Sequence, residues 1–157
     1  MKDQLITPCL WFDSEAEEAA NFYTSVFKNS KINKISRYGK EGFEIHGRPE
    51  GTVMVVAFEL NGQSFTALNG GPVFKFTEAI SLQISCKDQA EVDYYWNKLT
   101  EGGEESECGW LKDKYGLSWQ VVPTILEELL SDPSRSERVT KAFLQMKKFD
   151  IEKLKNA

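Results

Sequence analysis

Apolar positions along the chain fall into two successions of the same kind. Residues 5–12 (LITPCLWF) are a short apolar run, followed by the acidic cluster Asp13-Ser14-Glu15. From residue 16 onward, Ala16, Ala19, Ala20, Tyr23 and Phe27 recur at helical spacing, so a strand followed by a helix is predicted. Ser14 with Glu17 three residues on predicts a capping box. Residues 32–38 alternate weakly, as a strand would. The polar, glycine-rich stretch 39–52 reads as a loop. Residues 53–60 and 64–68 read as strands joined at Asn61-Gly62, a pair that favours the tight hairpin turn. Residues 69–72 (NGGP) stop the pattern.

The order then restarts. Residues 80–86 read as a strand, and 89–99 as a helix with Val92, Tyr95, Trp96 and Leu99 on one face. Gly102-Gly103 ends that helix, 104–112 has room for one strand, 113–116 is a turn, and 117–122 is a last strand closed by Pro123. Residues 7–14 lie over 81–88 without a gap, with alternate positions apolar in both: Pro8, Leu10, Phe12 and Leu82, Ile84, Cys86. The helices align after a one-residue shift, Glu18 over Glu91, and Gly62-x-x-Phe65 lies over Gly116-x-x-Trp119. Identity between the halves is low, but shared order and periodicity favour duplication. The prediction is an α+β fold in one domain, 1–157: module one about 5–69, module two about 79–123, and a helical tail 124–157 broken at Asp132-Pro133.

The chain's 157 residues suit one domain able to bury a core without disulfides or metals. Nineteen basic and 24 acidic residues leave a net charge of −5, which argues against nucleic-acid or anionic-membrane partners. Cys9, Cys86 and Cys108 are odd in number and widely spaced, which fits a reducing compartment. The first residues carry no apolar run of signal-peptide length, and no segment approaches the ~20 apolar residues of a membrane span. A cytoplasmic protein is expected.

L-x-F-D-x-x-A-E-E-A-x-x-F-Y near the start and D-K-Y-G-L-S-W-Q-V-V-P at 113–123 resemble the vicinal-oxygen-chelate superfamily, the glyoxalase, extradiol-dioxygenase and bleomycin-resistance group. Within it the chain is similar to the PhnB-like, 3-demethylubiquinone-9 3-methyltransferase-like branch. Residues 109–124 and 131–151 share that similarity, so it covers nearly the whole chain. The resemblance implies paired βαβββ modules, cupped sheets with helices outside, a ligand cavity inside, and a homodimer.

Enzymes of that superfamily hold a divalent metal with His and Glu from four strands. Carried over one at a time, those positions fall on Thr7, Thr66, Ser81 and Gln120. All four side chains are neutral and poor ligands for a catalytic ion. His46 is the single histidine and lies in the polar loop, where solvation is the plain reading. No metal and no cofactor are expected.

Other catalytic signatures are missing too. There is no G-x-S-x-G, no G-x-x-x-x-G-K-[ST], and no G-x-G-x-x-G after a strand. Gly70-Gly71-Pro72 precedes no helix and reads as a linker. No catalytic residue is assigned.

Alternation points Pro8, Leu10 and Phe12 at the helices and leaves Thr7, Cys9 and Trp11 for the other face. In the second half it leaves Ser81, Gln83 and Ser85, joined by Ser118, Gln120 and Val122, with Trp119 packing behind. Thr7, Cys9, Trp11, Thr66, Ser81, Gln83 and Gln120 are therefore the candidate ligand-binding residues. Neutral hydrogen-bonders beside an aromatic wall suit a small organic ligand. Metal-free small-molecule binding is the function expected. A divergent metal-dependent lyase or dioxygenase is the alternative, and a quinone methyltransferase is disfavoured by the missing glycine-rich turn.

Overall fold

The computed structural model describes residues 4–157. The chain divides into two compact units, one ending at Lys75 and one spanning Phe76–Ala157. The first holds β1 (Cys9–Phe12), α1 (Ala16–Val26), β2 (Lys31–Arg37), the one-turn α2 (Phe43–His46), β3 (Val53–Leu60) and β4 (Gln63–Asn69). Its sheet runs β1-β4-β3-β2, with β1 parallel to β4 and the other neighbours antiparallel. The second holds β5 (Ser81–Cys86), α3 (Gln89–Thr100), β6 (Glu104–Glu105), β7 (Trp110–Lys112) and β8 (Ser118–Pro123), then α4 (Ile125–Ser131), α5 (Ser136–Phe143) and α6 (Ile151–Lys155). Its sheet runs β5-β8-β7-β6 with the same directions. Each unit is thus a βαβββ module, and the α+β expectation holds.

Register gives a sharper test of the repeat. In module one Cys9 pairs with Thr66. Moving each residue by its alignment, 7 onto 81 and 62 onto 116, predicts Gln83 opposite Gln120, and those two are partners. Two alignments made separately along the sequence meet at one rung of the sheet.

Both cores follow the predicted alternation. In module one Leu10 and Phe12 turn inward beneath Ala16, Ala19, Ala20 and Tyr23 of α1, and the alanines bring the helix close to the sheet. Tyr23 stacks on Phe58, which stacks on its cross-strand partner Phe65 at 5.6 Å. In module two Ile84, Cys86, Leu111, Trp119 and Val121 are buried with Val92, Trp96 and Leu99 of α3. Tyr95, predicted on that face, is only half-buried. Asn61 and Gly62 both take positive φ, 50° and 77°, as the two-residue hairpin turn requires.

Five local expectations are corrected. The single strand predicted over 104–112 is two short strands, β6 and β7, paired Glu104 to Lys112 and Glu105 to Leu111. The loop 39–52 contains α2, bounded by left-handed Gly42 and Gly47. His46 is half-buried there, its Nδ1 accepting from the Arg48 amide at 2.9 Å and its ring 4.5 Å from that of Tyr38. Ser14 does not cap α1. The N-cap is Glu15, without a side-chain cap bond, and the Ala16 amide donates instead to Asn69 Oδ1 at 2.8 Å. The long helix predicted at 134–154 is broken over 144–150. Met146 and Lys147 carbonyls there accept from the Cys108 and Gly109 amides at 2.7 Å each, and Asp150 begins α6 by accepting from Lys153 N.

The tail forms its own cluster of Leu126, Leu129, Val139, Phe149 and Leu154, with Val122 of β8 packed against it. It docks on the start of α3, where Gln89 donates to Phe149 O and accepts from Ile151 N, and Lys148 pairs with Asp93 at 2.6 Å. Phe149 lies so close over Gly109 that a Cβ there would come within 2.4 Å of its ring.

Candidate functional site

On the helix-free face of module one, Thr7 and Cys9 are exposed, Thr66 is half-buried, and Cys9 and Thr66 sit opposite each other between β1 and β4. Trp11 is half-buried and engaged within its own module. Its Nε1 donates to Gly71 O at 2.8 Å, and its ring meets Phe74 edge-on at 4.9 Å. The ring lies against Gly70 so tightly that a Cβ there would sit 2.2 Å from it. The linker glycine therefore has a packing duty that composition did not reveal: it admits the indole.

On the helix-free face of module two, Gln120 Nε2 donates to Ser81 Oγ at 2.9 Å, a contact between neighbouring parallel strands. Gln83 is exposed and stands opposite Gln120. One rung away, Ser118 is completely buried and its Oγ makes no hydrogen bond among the described residues. Ser118 was predicted on this face. Lys112, Glu104 and Trp110, which share it through register, were not recognised. Period-two alternation could have found them had β6 and β7 been read as two strands.

Behind the sheet, the buried carboxylate of Asp113 organises the β7–β8 turn. Its Oδ1 accepts from the amides of Tyr115 and Leu117 at 2.9 and 3.1 Å, and its Oδ2 accepts from Trp119 Nε1 at 2.8 Å. The string D-K-Y-G-L-S-W is therefore a structural turn. The Cys86 thiol is pushed up to about 12 by burial, with Glu91 and Asp88 adding to the effect. It stays a neutral core group.

The donor set does not fit the divalent metal that the superfamily's enzymes hold. Thr7, Thr66, Ser81 and Gln120 offer no charge, and Gln120 and Ser81 are bonded to each other. Among the described residues no group of three His, Cys, Asp or Glu could hold a metal ion. No helix among the described residues is long and apolar enough to cross a membrane.

Two βαβββ modules, each with its first strand parallel to its last, define a glyoxalase-like protein, and comparison with known proteins agrees. The family described as 3-demethylubiquinone-9 3-methyltransferase matches residues 4–122, and the chain belongs to it, within the PhnB-like branch of the vicinal-oxygen-chelate superfamily. A PhnB protein from Bacillus cereus whose description carries the same methyltransferase label is 41% identical, with 77% of this chain and 100% of that one covered and a TM-score of 0.68. PA1353 from Pseudomonas aeruginosa is 18% identical over 77% of this chain and 98% of its own, with a TM-score of 0.61. The fosfomycin resistance protein FosX from Listeria monocytogenes, in complex with Mn(II) and sulfate, is 15% identical over 83% and 98%, with a TM-score of 0.55. The last two share the fold alone. No curated protein matches the chain.

Proposed function

We propose that this chain is a metal-free small-molecule-binding protein, working in the cytoplasm as a homodimer. Its ligand is a small, mostly uncharged aromatic or amphipathic compound. The helix-free face of module two offers Ser81, Gln83 and Gln120 as neutral contacts, and that of module one offers Thr7, Cys9 and Thr66 with Trp11 as an aromatic wall. The observation that carries this reading is the half-buried Gln120–Ser81 hydrogen bond. Resemblance places metal ligands at those two positions in superfamily enzymes. Here they hold an amide and a hydroxyl with hydrogen-bonding capacity beyond the bond they share. The neutral groups of Ser81 and Gln120 favour a ligand that satisfies them and cannot themselves offset a full negative charge.

The test is a compound screen by thermal shift, followed by titration of a hit against Gln120→Ala and Trp11→Ala. Losing one neutral hydrogen bond costs roughly 0.5–1.5 kcal/mol, about 2- to 12-fold in affinity. Trp11→Ala should cost more. A ligand whose affinity ignores both substitutions places the site elsewhere. Stoichiometric zinc, iron, nickel or manganese bound at Thr7, Thr66, Ser81 and Gln120 and retained through desalting overturns the metal-free reading.

A further inference from the structure

Module two carries a second polar feature on its helix-free face, beside the Ser81–Gln120 pair. A cavity of about 170 Å³ is lined by Glu78, Glu104, Glu105, Ser106, Trp110, Leu111, Lys112 and Ser118. That is about five to six water volumes, room for a head group and a short stem. Its floor is Ser118, fully buried, with an unpartnered Oγ. A buried hydroxyl without a partner is a standing cost that a bound polar group removes.

The walls have a definite sign. Strand order β5-β8-β7-β6 puts Ser81, Ser118, Lys112 and Glu104 in one rung, since each is the register partner of the next. Lys112 Nζ of β7 pairs at 2.5 Å with Glu78, in the turn that precedes β5. That hydrogen bond holds the Glu78 carboxyl below its usual range and the Lys112 amine above its own, so both stay charged at neutral pH. Glu105 is engaged from the other side, accepting from Trp96 Nε1 at 2.8 Å. Lys112 also feels the Glu104 carboxylate, so Glu78, Glu104 and Glu105 face one amine and the lining keeps a net negative charge. Trp110 adds an aromatic wall. Surplus negative charge beside an indole is the environment that recognises an organic cation.

We infer that this cavity is a subsite for a small organic ammonium ion, held by Glu104 and Trp110, with Ser118 Oγ as its buried hydrogen-bond partner. The inference rests on its own observations and not on the function proposed above, although Ser118 and Trp110 are the register partners of Ser81 and Gln120 on the same face.

Benzylamine, benzyl alcohol and benzoate are the probes. They share a ring and differ in charge. Each is titrated into the full chain at constant ionic strength, with backbone amide shifts of β7 and β8 followed by NMR. Benzylammonium should bind saturably and shift residues 110–112 and 118. Benzyl alcohol should bind about 5- to 10-fold more weakly, and benzoate more weakly still. Glu104→Gln and Trp110→Leu should each weaken benzylammonium by about 3- to 10-fold. Glu104 is exposed, so its substitution leaves the fold intact and decides the question even where Trp110→Leu disturbs packing. No saturable response, equal binding of benzoate, or indifference to Glu104→Gln overturns the inference. Loss on Gln120→Ala with retention in Glu104→Gln overturns it too, while leaving the function proposed above standing.

Discussion

Module one closes the start of its helix with a residue 53 positions away in sequence, on the strand beside β1. Asn69, the last residue of β4, is buried, accepts from Ala16 N and donates to Val53 O at 3.1 Å, while Tyr38 Oη donates to its carbonyl at 2.6 Å. Module two does the same job within five residues. Asp88 accepts from Glu91 N at 2.9 Å, and Glu91 accepts back from Lys87 N at 2.9 Å. The repeat explains the exchange. The residue equivalent to Asn69 is Pro123, which has no side-chain acceptor, so the cap comes from the local sequence. Ser14 aligns with Asp88 along the strands, but the one-residue shift before the helix places Glu15, not Ser14, at the N-cap. A duplicated fold thus keeps its strand order and register while its polar fastenings are rebuilt separately in each half.

The largest effect expected from breaking this contrast lies in module two. Asp113 accepts from two turn amides and from the indole of buried Trp119, whereas the equivalent Asn61-Gly62 turn of module one is tied by neutral groups, its amides donating to Ser30 Oγ and Asn29 O at 3.1 Å each. Asp113→Ala should destabilise by about 3–4 kcal/mol, since charge-assisted bonds are lost and a buried N–H is left unpaired. Chemical denaturation measures this directly. A loss under ~1 kcal/mol shows that the turn holds without its carboxylate.

The two caps come next. Asn69→Ala removes two buried hydrogen bonds that tie α1 and β3 to β4, and should cost about 2–3 kcal/mol. Asp88→Ala removes an exposed local cap and should cost about 1 kcal/mol. Equal losses show that the distant cap gains nothing from its burial.

The order of elements along the chain, both module helices and the repeat between the halves were legible because period-two and period-3.6 patterns are local and occur twice; β6 and β7 were too short for their alternation to separate them. The Asn69 cap was not, because an asparagine in an N-G-G-P stop looks like a turn residue until the fold brings Ala16 to it. The break in the tail helix was not either, because amides of Cys108 and Gly109 compete for its carbonyls from another element. On the candidate face, Ser81 and Gln120 were named from the metal positions that the resemblance carries over, and the fold sets them on neighbouring strands with their side chains bonded. Trp11 was placed on the right face, but its engagement with Gly70, Gly71 and Phe74 depends on where the linker turns. The Lys112–Glu78 pair joins residues 34 positions apart by sequence, and no spacing rule announces it.

The smallest effect is also the most diagnostic, because its sign differs between two serines on neighbouring strands. Ser81 and Ser118 are register partners on one face. Ser81 Oγ accepts from Gln120, whereas Ser118 Oγ is buried without a partner. Ser81→Ala should therefore destabilise by about 0.5–1.5 kcal/mol, the usual worth of a made hydrogen bond. Ser118→Ala removes a desolvated hydroxyl and leaves a methyl in place of the hydroxymethyl group. It should be neutral or stabilise by up to about 1 kcal/mol in the free protein. The same substitution should weaken benzylammonium, so stability and binding move in opposite directions at one atom. Stabilisation without loss of binding makes Ser118 a packing defect. Destabilisation instead reveals a partner for its hydroxyl and removes the reason to place a ligand there. Only a gain in stability joined to a loss of binding identifies Ser118 as a hydroxyl kept unpaired for a ligand.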